Sequence, residues 1–443
     1  MVNPRSLFYY SYRRFSRFSH WYERRFTGMG RLLIAAIVAF AIFGVDTEQT
    51  TAYQGFAYLG SLLVLAITAT TMFRARLQII RDLPRFATAG EPLEYRLRVR
   101  NLGAREQRGL GVFEDFEFSY PTREEFRLAR EPGAKRNRID EAMGFYTWNW
   151  LLAQRRNGVV APKEAPTIAA GSEAAVNMRL EAKCRGVVRF AGVSIARTDP
   201  LRLCRAFFCV SAPQSVLVLP RRYRLPPFAL PGRRLYQPGG VTQAAASGDS
   251  EEFFGLRDYQ PGDPMQRIHW KSFARVGRPI VREYQTEFIE RHALALDTAF
   301  SAQGEAAFEE AVSVAASFVY TLDTQECLLD MLFIGDKTHS YSAGRGLLRT
   351  EYLLEVLAGV TRQEGDVLPR LGAAVRERRG QLSSCILVLA GWDEPRRVLV
   401  DSLRRAGLNL LVLAVVSDLL QIDPALGIRT IRVGNVQQDL FSL

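Results

Sequence analysis

The chain has 443 residues, enough for two or three domains, and its 48% hydrophobic and 23% charged residues are typical of a folded protein. Five cysteines form no C-x-x-C pair and four histidines include no pair at ligand spacing, which argues against a zinc site. Cys327 and Cys385 lie in apolar runs and are predicted to be buried free thiols of a reducing compartment. The net charge is +12.

The N-terminal segment, residues 1–31, combines seven arginines and one acidic residue with interleaved aromatic side chains. This mixture is typical of a helix at a membrane interface. Binding of nucleic acid by the same segment would need a defined module, which the sequence does not show. We therefore expect a lipid bilayer, and no nucleic acid, as the partner of this segment.

Two apolar segments come next. Ala52 to Phe73 is 22 residues long without a charge, and Leu32 to Val45 is 14 residues long. The short polar loop Asp46 to Thr51 joins them, so residues 32–73 are predicted to form a two-helix transmembrane hairpin. The alternative is a pair of core helices in a soluble domain.

Charge on either side of these segments predicts their orientation. The loop between them holds two acids and no base, whereas arginines precede the first segment and Arg74, Arg76, Arg81 and Arg85 follow the second. Because basic flanks stay in the cytoplasm, both termini are predicted to be cytoplasmic.

Residues 77–211 have the pattern of short strands with one polar face, which predicts a β-sandwich. Leu93 to Arg100, for example, alternates strictly with period two. An insertion at 121–160 interrupts the pattern, and its Tyr146, Trp148 and Trp150 would share one face of a strand. That face is either buried in a sheet or directed to a membrane or partner.

Residues 212–290 are predicted to hold a linker, Pro213 to Ser250, followed by the polar segment described below, and from residue 291 apolar runs alternate with helical patterns. Such alternation predicts a parallel, doubly wound α/β sheet over residues 291–443. Its predicted elements are strands at 292–296, 327–334, 385–390 and 408–416, and helices at 304–322, 347–358 and 394–406.

The densest set of polar and aromatic residues lies between Phe253 and Glu283. Pro261-Gly262 signals a turn, and Asp263 followed by Pro264 reads as a helix N-cap and first helical position. The helix is predicted to run to about Phe273. It would carry a basic stripe at spacing four, formed by Arg267, Lys271 and Arg275.

This segment, with R-x-Y-x-P-G-D at 257–263, R-I-H-W at 267–270 and V-R-E at 281–283, resembles the signature of the domain-of-unknown-function 58 family. Arg185-Gly186, Thr198 to Leu201 and the strand at 216–221 resemble upstream parts of that family's pattern, with Arg202 where the family has glycine. The resemblance implies a bacterial inner-membrane protein with a von Willebrand A-like domain. It also implies a MoxR-type AAA+ ATPase as partner.

Three interpretations of the signature remain open. Its residues could form a buried polar network, a partner-binding surface, or a catalytic site in which Asp263 and His269 carry out hydrolysis. The signature residues so considered are Arg257, Tyr259, Gly262, Asp263, Arg267, His269, Trp270, Lys271 and Arg275.

A degenerate metal motif follows the first strand of the α/β region. Asp297 to Ser301 resembles the D-x-S-x-S loop of von Willebrand A domains, with Ala299 in place of the first serine. Asp393 follows another strand, and ligands of such sheets bind at the carboxyl ends of strands. Mg²⁺ bound by Asp297, Ser301 and Asp393 is one interpretation, with Thr350 as a weak further ligand. Capping of the next turn by Asp297 is the other.

Several motifs are absent from the sequence: a P-loop, a dinucleotide fingerprint, a G-x-S-x-G elbow and H-E-x-x-H. The sequence therefore predicts a membrane hairpin, a β-sandwich and a von Willebrand A-like α/β domain in a non-catalytic adaptor or co-chaperone. A hydrolase and an envelope structural protein are the alternatives.

Overall fold

The computed structural model describes residues 5–43, 50–129, 137, 140, 143–226, 252–285, 290–301, 303–322, 327–343, 350–417 and 426–442. The chain divides into two compact units, Met1–Leu219 and Pro220–Leu443.

The first unit begins with three helices, α1 (Arg5–Arg25), α2 (Gly28–Phe43) and α3 (Thr50–Thr71). Helices α2 and α3 pack together, and a Cβ on Gly55 would lie 3.1 Å from the ring of Phe40. By length and composition, α3 is the one helix in the described part of the chain that could cross a membrane, over Ala52–Thr71, while α2 is apolar but shorter. Of the predicted loop, residues 46–49 lie outside the described residues, and Thr50 and Thr51 belong to α3.

The insertion contains α4 (Arg123–Leu128) and α5 (Phe145–Arg155), which form an aromatic cluster with α1. The predicted strand with Tyr146, Trp148 and Trp150 on one face is therefore wrong. Trp148, Leu151 and Leu152 recur at helical spacing and are buried, whereas Tyr146 is exposed. Trp148 donates its indole N–H to Ser16 Oγ on α1 at 2.9 Å, so the cluster fixes α1 to the insertion.

Two sheets make up most of the rest of the first unit. Their strands are β1 (Leu77–Asp82), β2 (Phe86–Thr88), β3 (Pro92–Asn101), β4 (Leu110–Phe116), β5 (Gly158–Val160), β6 (Lys163–Glu164), β7 (Glu173–Ala182), β8 (Gly186–Thr198) and β9 (Arg205–Leu219). One sheet has the order β1-β3-β7-β5 and the other β2-β9-β8-β4-β6. Buried side chains of both sheets form one core, as the alternating pattern predicted.

A buried ion pair joins the two sheets. Arg81 on β1 and Glu114 on β4 lie 2.6 Å apart, with side chains 1% and 0% exposed. Tyr95 also donates its hydroxyl to Glu114 at 2.8 Å, and the Arg81 guanidinium lies over the Phe190 ring. In the folded protein, the charge of Arg81 is therefore paired inside the sandwich.

The second unit contains a six-stranded sheet of β12 (Glu290–Leu296), β13 (Cys327–Ile334), β14 (Thr338–Ala343), β15 (Ser384–Leu389), β16 (Leu410–Val416) and β17 (Ile428–Arg432). Its order is β14-β13-β12-β15-β16-β17, and every pairing is parallel except that of β13 with β14. The prediction of a parallel sheet is thus confirmed for the four predicted strands, and the two edge strands, parallel β17 and antiparallel β14, are additions.

Helices cover both faces of this sheet: α7 (Gly304–Leu322), α8 (Thr350–Gly359), α9 (Val367–Glu377) and α10 (Glu394–Arg405), with α11 (Val436–Phe441) near the end of the chain. Helices α9 and α10 pack against one face through residues such as Ala295 and Leu387. Their strand neighbours Leu294 and Ile386 point to the other face and are also fully buried. Cys385 is buried as predicted, while the Cys327 side chain lies outside the described residues.

Candidate functional site

The family-like signature forms a hairpin, which we call the signature arm (residues 252–285). Its strands β10 (Glu252–Asp258) and β11 (Ile280–Gln285) pair antiparallel, and a 3₁₀ turn at Met265–Arg267 and helix α6 (Trp270–Val276) lie between them. The predicted continuous helix from Asp263 to Phe273 is wrong. Ile268 bridges to Val281 and the His269 N–H donates to the Ile280 carbonyl at 2.8 Å, so the chain is held to β11 there.

The turn of the arm is closed by an ion pair. Arg257 donates two hydrogen bonds to Asp263, each 2.7 Å long, and the Gln260 N–H donates a third at 2.9 Å. These bonds, the one with Arg257 foremost, lower the pKa of Asp263. Gly262 supplies the turn with a φ of +112°, which side chains rarely adopt. Asp263 is therefore an ionised, weakly basic carboxylate that shapes the turn.

His269 has a different set of partners. Its Nδ1 lies 2.6 Å from Ser272 Oγ in the first turn of α6. The hydrogen bonds of the described residues do not join His269 to Asp263. The expected buried network is wrong, since Arg257 keeps 36% of its side chain exposed and Arg267 is exposed. Tyr259 supports the hairpin through its backbone N–H, which donates to the Pro279 carbonyl at 3.0 Å.

Apolar side chains of the arm face solvent. Trp270 is 63% exposed and Phe273 36% exposed, and their rings meet edge to face at 5.9 Å. Leu256, Met265 and Val276 are exposed as well. Lys271, Arg275 and Arg282 of the arm are exposed and have no ion pair with the residues that the structure describes. The arm thus presents two exposed aromatic rings, and it also carries exposed cations.

The second candidate site lies at the carboxyl end of β12. Asp297 is fully buried and accepts hydrogen bonds from the N–H groups of Ala299 and Ala390, at 2.8 and 3.1 Å. The Arg396 guanidinium donates to Asp297 at 2.7 Å and to Asp393 at 2.5 Å. Burial raises the pKa of Asp297, and the charge of Arg396 opposes that rise.

The structure therefore brings Asp297 and Asp393 together around an arginine that the sequence interpretation missed. Ser301 lies at the same edge, because a Cβ on Gly391 would clash with its Oγ. The signal for Arg396 was the Asp393-x-x-Arg396 spacing at the start of α10, which places both residues in one turn. Thr350, the weak further candidate from the sequence, is the first residue of α8.

A groove of about 1050 Å³ begins beside Asp393 and runs between α9 and α10. Leu368, Gly372 and Leu399 form part of its floor. A Cβ on Gly372 would lie 2.8 Å from Leu399 Cδ1, so glycine permits the close approach of the two helices.

Residues 255–375 match the family model described as "Protein of unknown function DUF58". The search of curated proteins found no match. Among solved structures, a CARDB domain from Pyrococcus furiosus is similar at 12% identity, over 32% of this chain and 96% of that chain, with a TM-score of 0.16. A GH20 exo-β-N-acetylglucosaminidase from Vibrio harveyi is similar at 9% identity, over 75% of this chain and 60% of that chain, with a TM-score of 0.15. Scores of this size carry no argument about fold or function.

Proposed function

Because residues 255–375 belong to the DUF58 family, we propose that this chain is a membrane-anchored, non-catalytic adaptor or co-chaperone whose signature arm binds a cytoplasmic partner. The observation that carries the proposal is the exposed Trp270–Phe273 pair, on an arm that also carries exposed cations. Tryptophan and arginine are enriched among the residues that dominate binding at protein interfaces. The exposed cations of the arm, which have no ion pair with described residues, add steering toward a partner of opposite charge.

The partner that fits this surface has an apolar pocket and acidic residues. Family resemblance suggests a MoxR-type AAA+ ATPase, which would supply energy that this chain has no motif to obtain. We propose that the second unit is a von Willebrand A-like domain, supported by the antiparallel edge strand β14 and the motif-like loop after β12.

We propose that the edge at Asp297 works without Mg²⁺. The Asp297 oxygens already accept from two backbone N–H groups and from Arg396, which leaves them poorly suited to a metal. Arg396 supplies the positive charge that a cation would otherwise supply to Asp297 and Asp393. Asp297 then holds β12, β15 and α10 together at this edge.

The proposed anchor is the α2–α3 hairpin in a bacterial inner membrane. Helix α3 has 22 residues, or about 33 Å at 1.5 Å per residue, which matches a hydrocarbon core of about 30 Å. Helix α2 has 16 residues, so its flanking side chains would need to extend to the membrane interface for it to span. The outward-facing side chains of both helices are largely apolar, such as Leu32, Ile42 and Leu65, which supports contact with lipid.

A hydrolase remains the alternative function, but the geometry of the arm gives little support for a general base. A general base must hold its lone pair ready for a substrate proton. Asp263 instead accepts three hydrogen bonds and has a lowered pKa. His269 Nδ1 is engaged by Ser272 Oγ at 2.6 Å.

The test is recovery of the AAA+ ATPase with the tagged full-length chain from detergent-solubilised membranes, with and without ATP, read by mass spectrometry. We expect Trp270→Ala to weaken binding about 30-fold, since such anchors contribute about 2 kcal/mol or more. The double variant Lys271→Glu/Arg275→Glu should slow association with the partner.

Lys337→Glu is the matched control, because Lys337 is an exposed cation of the same unit outside the arm. It should leave recovery unchanged. Equal recovery of the ATPase with wild type, Trp270→Ala and Lys271→Glu/Arg275→Glu would refute the arm as the binding surface.

A further inference from the structure

A small cavity of about 350 Å³ lies in the first unit, beside the C-terminal half of α1. Its lining contains three arginines, a histidine and no carboxylate: Arg17, His20, Arg24 and Arg25, with Trp21, Tyr120, Ser194, Phe207 and Cys209. The α1 members recur at spacings of three and four, so they share one helical face. This volume suits a small ligand, and the surplus of cations suits an anion.

Arg24 is held in place with one donor group unused. Its Nη1 donates to Asp115 at 2.7 Å, and its guanidinium lies over the rings of Phe113 and Phe207 at 5.6 and 5.1 Å. The other terminal nitrogen, Nη2, is buried without a hydrogen-bond partner among the described residues. A buried charged donor without an acceptor is costly, so an anion at this position would stabilise it.

Asp115 pairs with one arginine of this cluster: it accepts from Arg24 and, at 2.5 Å, from Ser194. Burial lowers the pKa of His20, and the charges of Arg24 and Arg156 lower it further against the opposing charges of Glu23 and Asp115. The cluster therefore has the electrostatics of an anion site.

The position of the cavity indicates the source of the anion. Arg25 donates to Thr70 Oγ1 near the C-terminal end of α3, at 3.5 Å. The start of α2 is held in the same region, because the Thr27 N–H donates to the Leu203 carbonyl and Gly30 of α2 packs on the same carbonyl. The cavity thus lies where the apolar helices end, which is the level of lipid headgroups if those helices span a bilayer.

We propose that this cavity binds the phosphoryl headgroup of an anionic phospholipid, with Arg17 and Arg24 as its main contacts. The bound headgroup would fix α1 against the membrane surface. The proposal depends on the proposed anchor only for the source of the ligand, since the cavity chemistry is present in either case.

The test uses the full-length chain in detergent micelles, with phosphatidylglycerol or phosphatidylcholine added and lipid binding counted by native mass spectrometry. We expect one phosphatidylglycerol to bind at least tenfold more tightly than phosphatidylcholine. Arg17→Gln should weaken that site roughly tenfold or more, because it removes a charge-assisted hydrogen bond. Arg17 is exposed, so the substitution should not disturb folding. Arg24→Gln, checked for native near-ultraviolet circular dichroism, should do the same.

Arg13→Gln is the matched control, because Arg13 is an exposed arginine of α1 that does not line the cavity. It should change binding less than twofold. An equal loss for Arg13→Gln and Arg17→Gln would show diffuse charge attraction and refute the cavity. Equal binding of the two lipids would also refute the proposal. Full displacement by millimolar inorganic phosphate would identify a small-anion site and overturn the lipid as its ligand.

Discussion

Replacing Arg396 by alanine tests the charge arrangement at the sheet edge most directly. The change leaves Asp297 fully buried without its counter-ion, and it also removes a partner of Asp393. Breaking a buried pair by removing one partner costs about 3–5 kcal/mol, because the remaining charge is uncompensated. Since about 1.4 kcal/mol is a factor of ten, the opening equilibrium of the surrounding strands should rise about a hundredfold to a few thousandfold.

Hydrogen exchange followed by mass spectrometry on the full-length chain measures this locally. Peptides that cover β12 and β15 should lose protection by that factor in Arg396→Ala. Arg397→Ala is the control, since Arg397 is the next residue of α10 and its side chain is 54% exposed in a loose pair with Glu394. An exposed pair contributes at most about 1 kcal/mol, so protection should change by less than tenfold.

The pH dependence of the lost protection tests whether the uncompensated charge of Asp297 causes it. Burial already raises the pKa of Asp297, and without Arg396 that pKa should rise further. The folded variant then binds a proton more readily than the unfolded chain, so its stability rises as pH falls from the folded pKa toward the unfolded value near 4. The destabilisation should therefore be smaller at pH 5.5 than at pH 8, and Asp297→Asn should restore part of it. Equal protection in Arg396→Ala and Arg397→Ala at both pH values would refute the reasoning.

Two further predictions concern the first unit. Arg81→Ala should lower the stability of the sandwich by about 3–5 kcal/mol, because it leaves the buried Glu114 without its counter-ion. The control Arg98→Ala removes an exposed pair with Asp82 and should change stability little. Equal melting temperatures of the two variants would contradict this prediction. The basic flanks of α2 and α3 predict cytoplasmic termini. An alkaline phosphatase fused to the C-terminus should therefore be inactive, and a fluorescent protein fused there should be bright. Strong phosphatase activity would overturn that topology.

Strands could be predicted from the sequence wherever one physical signal dominated. Leu93 to Arg100 alternates because one face is buried, and Leu294 to Leu296 is continuously apolar because both faces are covered. Helix α5 could not be predicted in this way, because aromatic residues at alternate positions also fit a strand. Its burial against α1, a segment more than a hundred residues earlier, decided the outcome.

The candidate sites were less predictable because their partners are distant in sequence or their exposure is set by the fold. Asp297 was recognised from a local motif, but its counter-ion Arg396 lies 99 residues later. The Arg257–Asp263 pair is local, yet its partial exposure depends on the hairpin. Sequence patterns identify residue types that can interact, and the tertiary fold determines which of them meet and how much water they keep.

The signature arm contains two kinds of residue with different physical roles. Arg257, Asp263 and Gly262 close its turn, and their interactions are satisfied within the arm. Trp270 and Phe273 stay partly exposed, so the isolated chain gains only part of the about 1.5–3 kcal/mol that full burial of such a side chain is worth. A partner that covers both rings recovers that free energy on binding. The exposed cations of the arm favour partners of opposite charge, so the surface selects a partner that has an apolar patch and acidic residues.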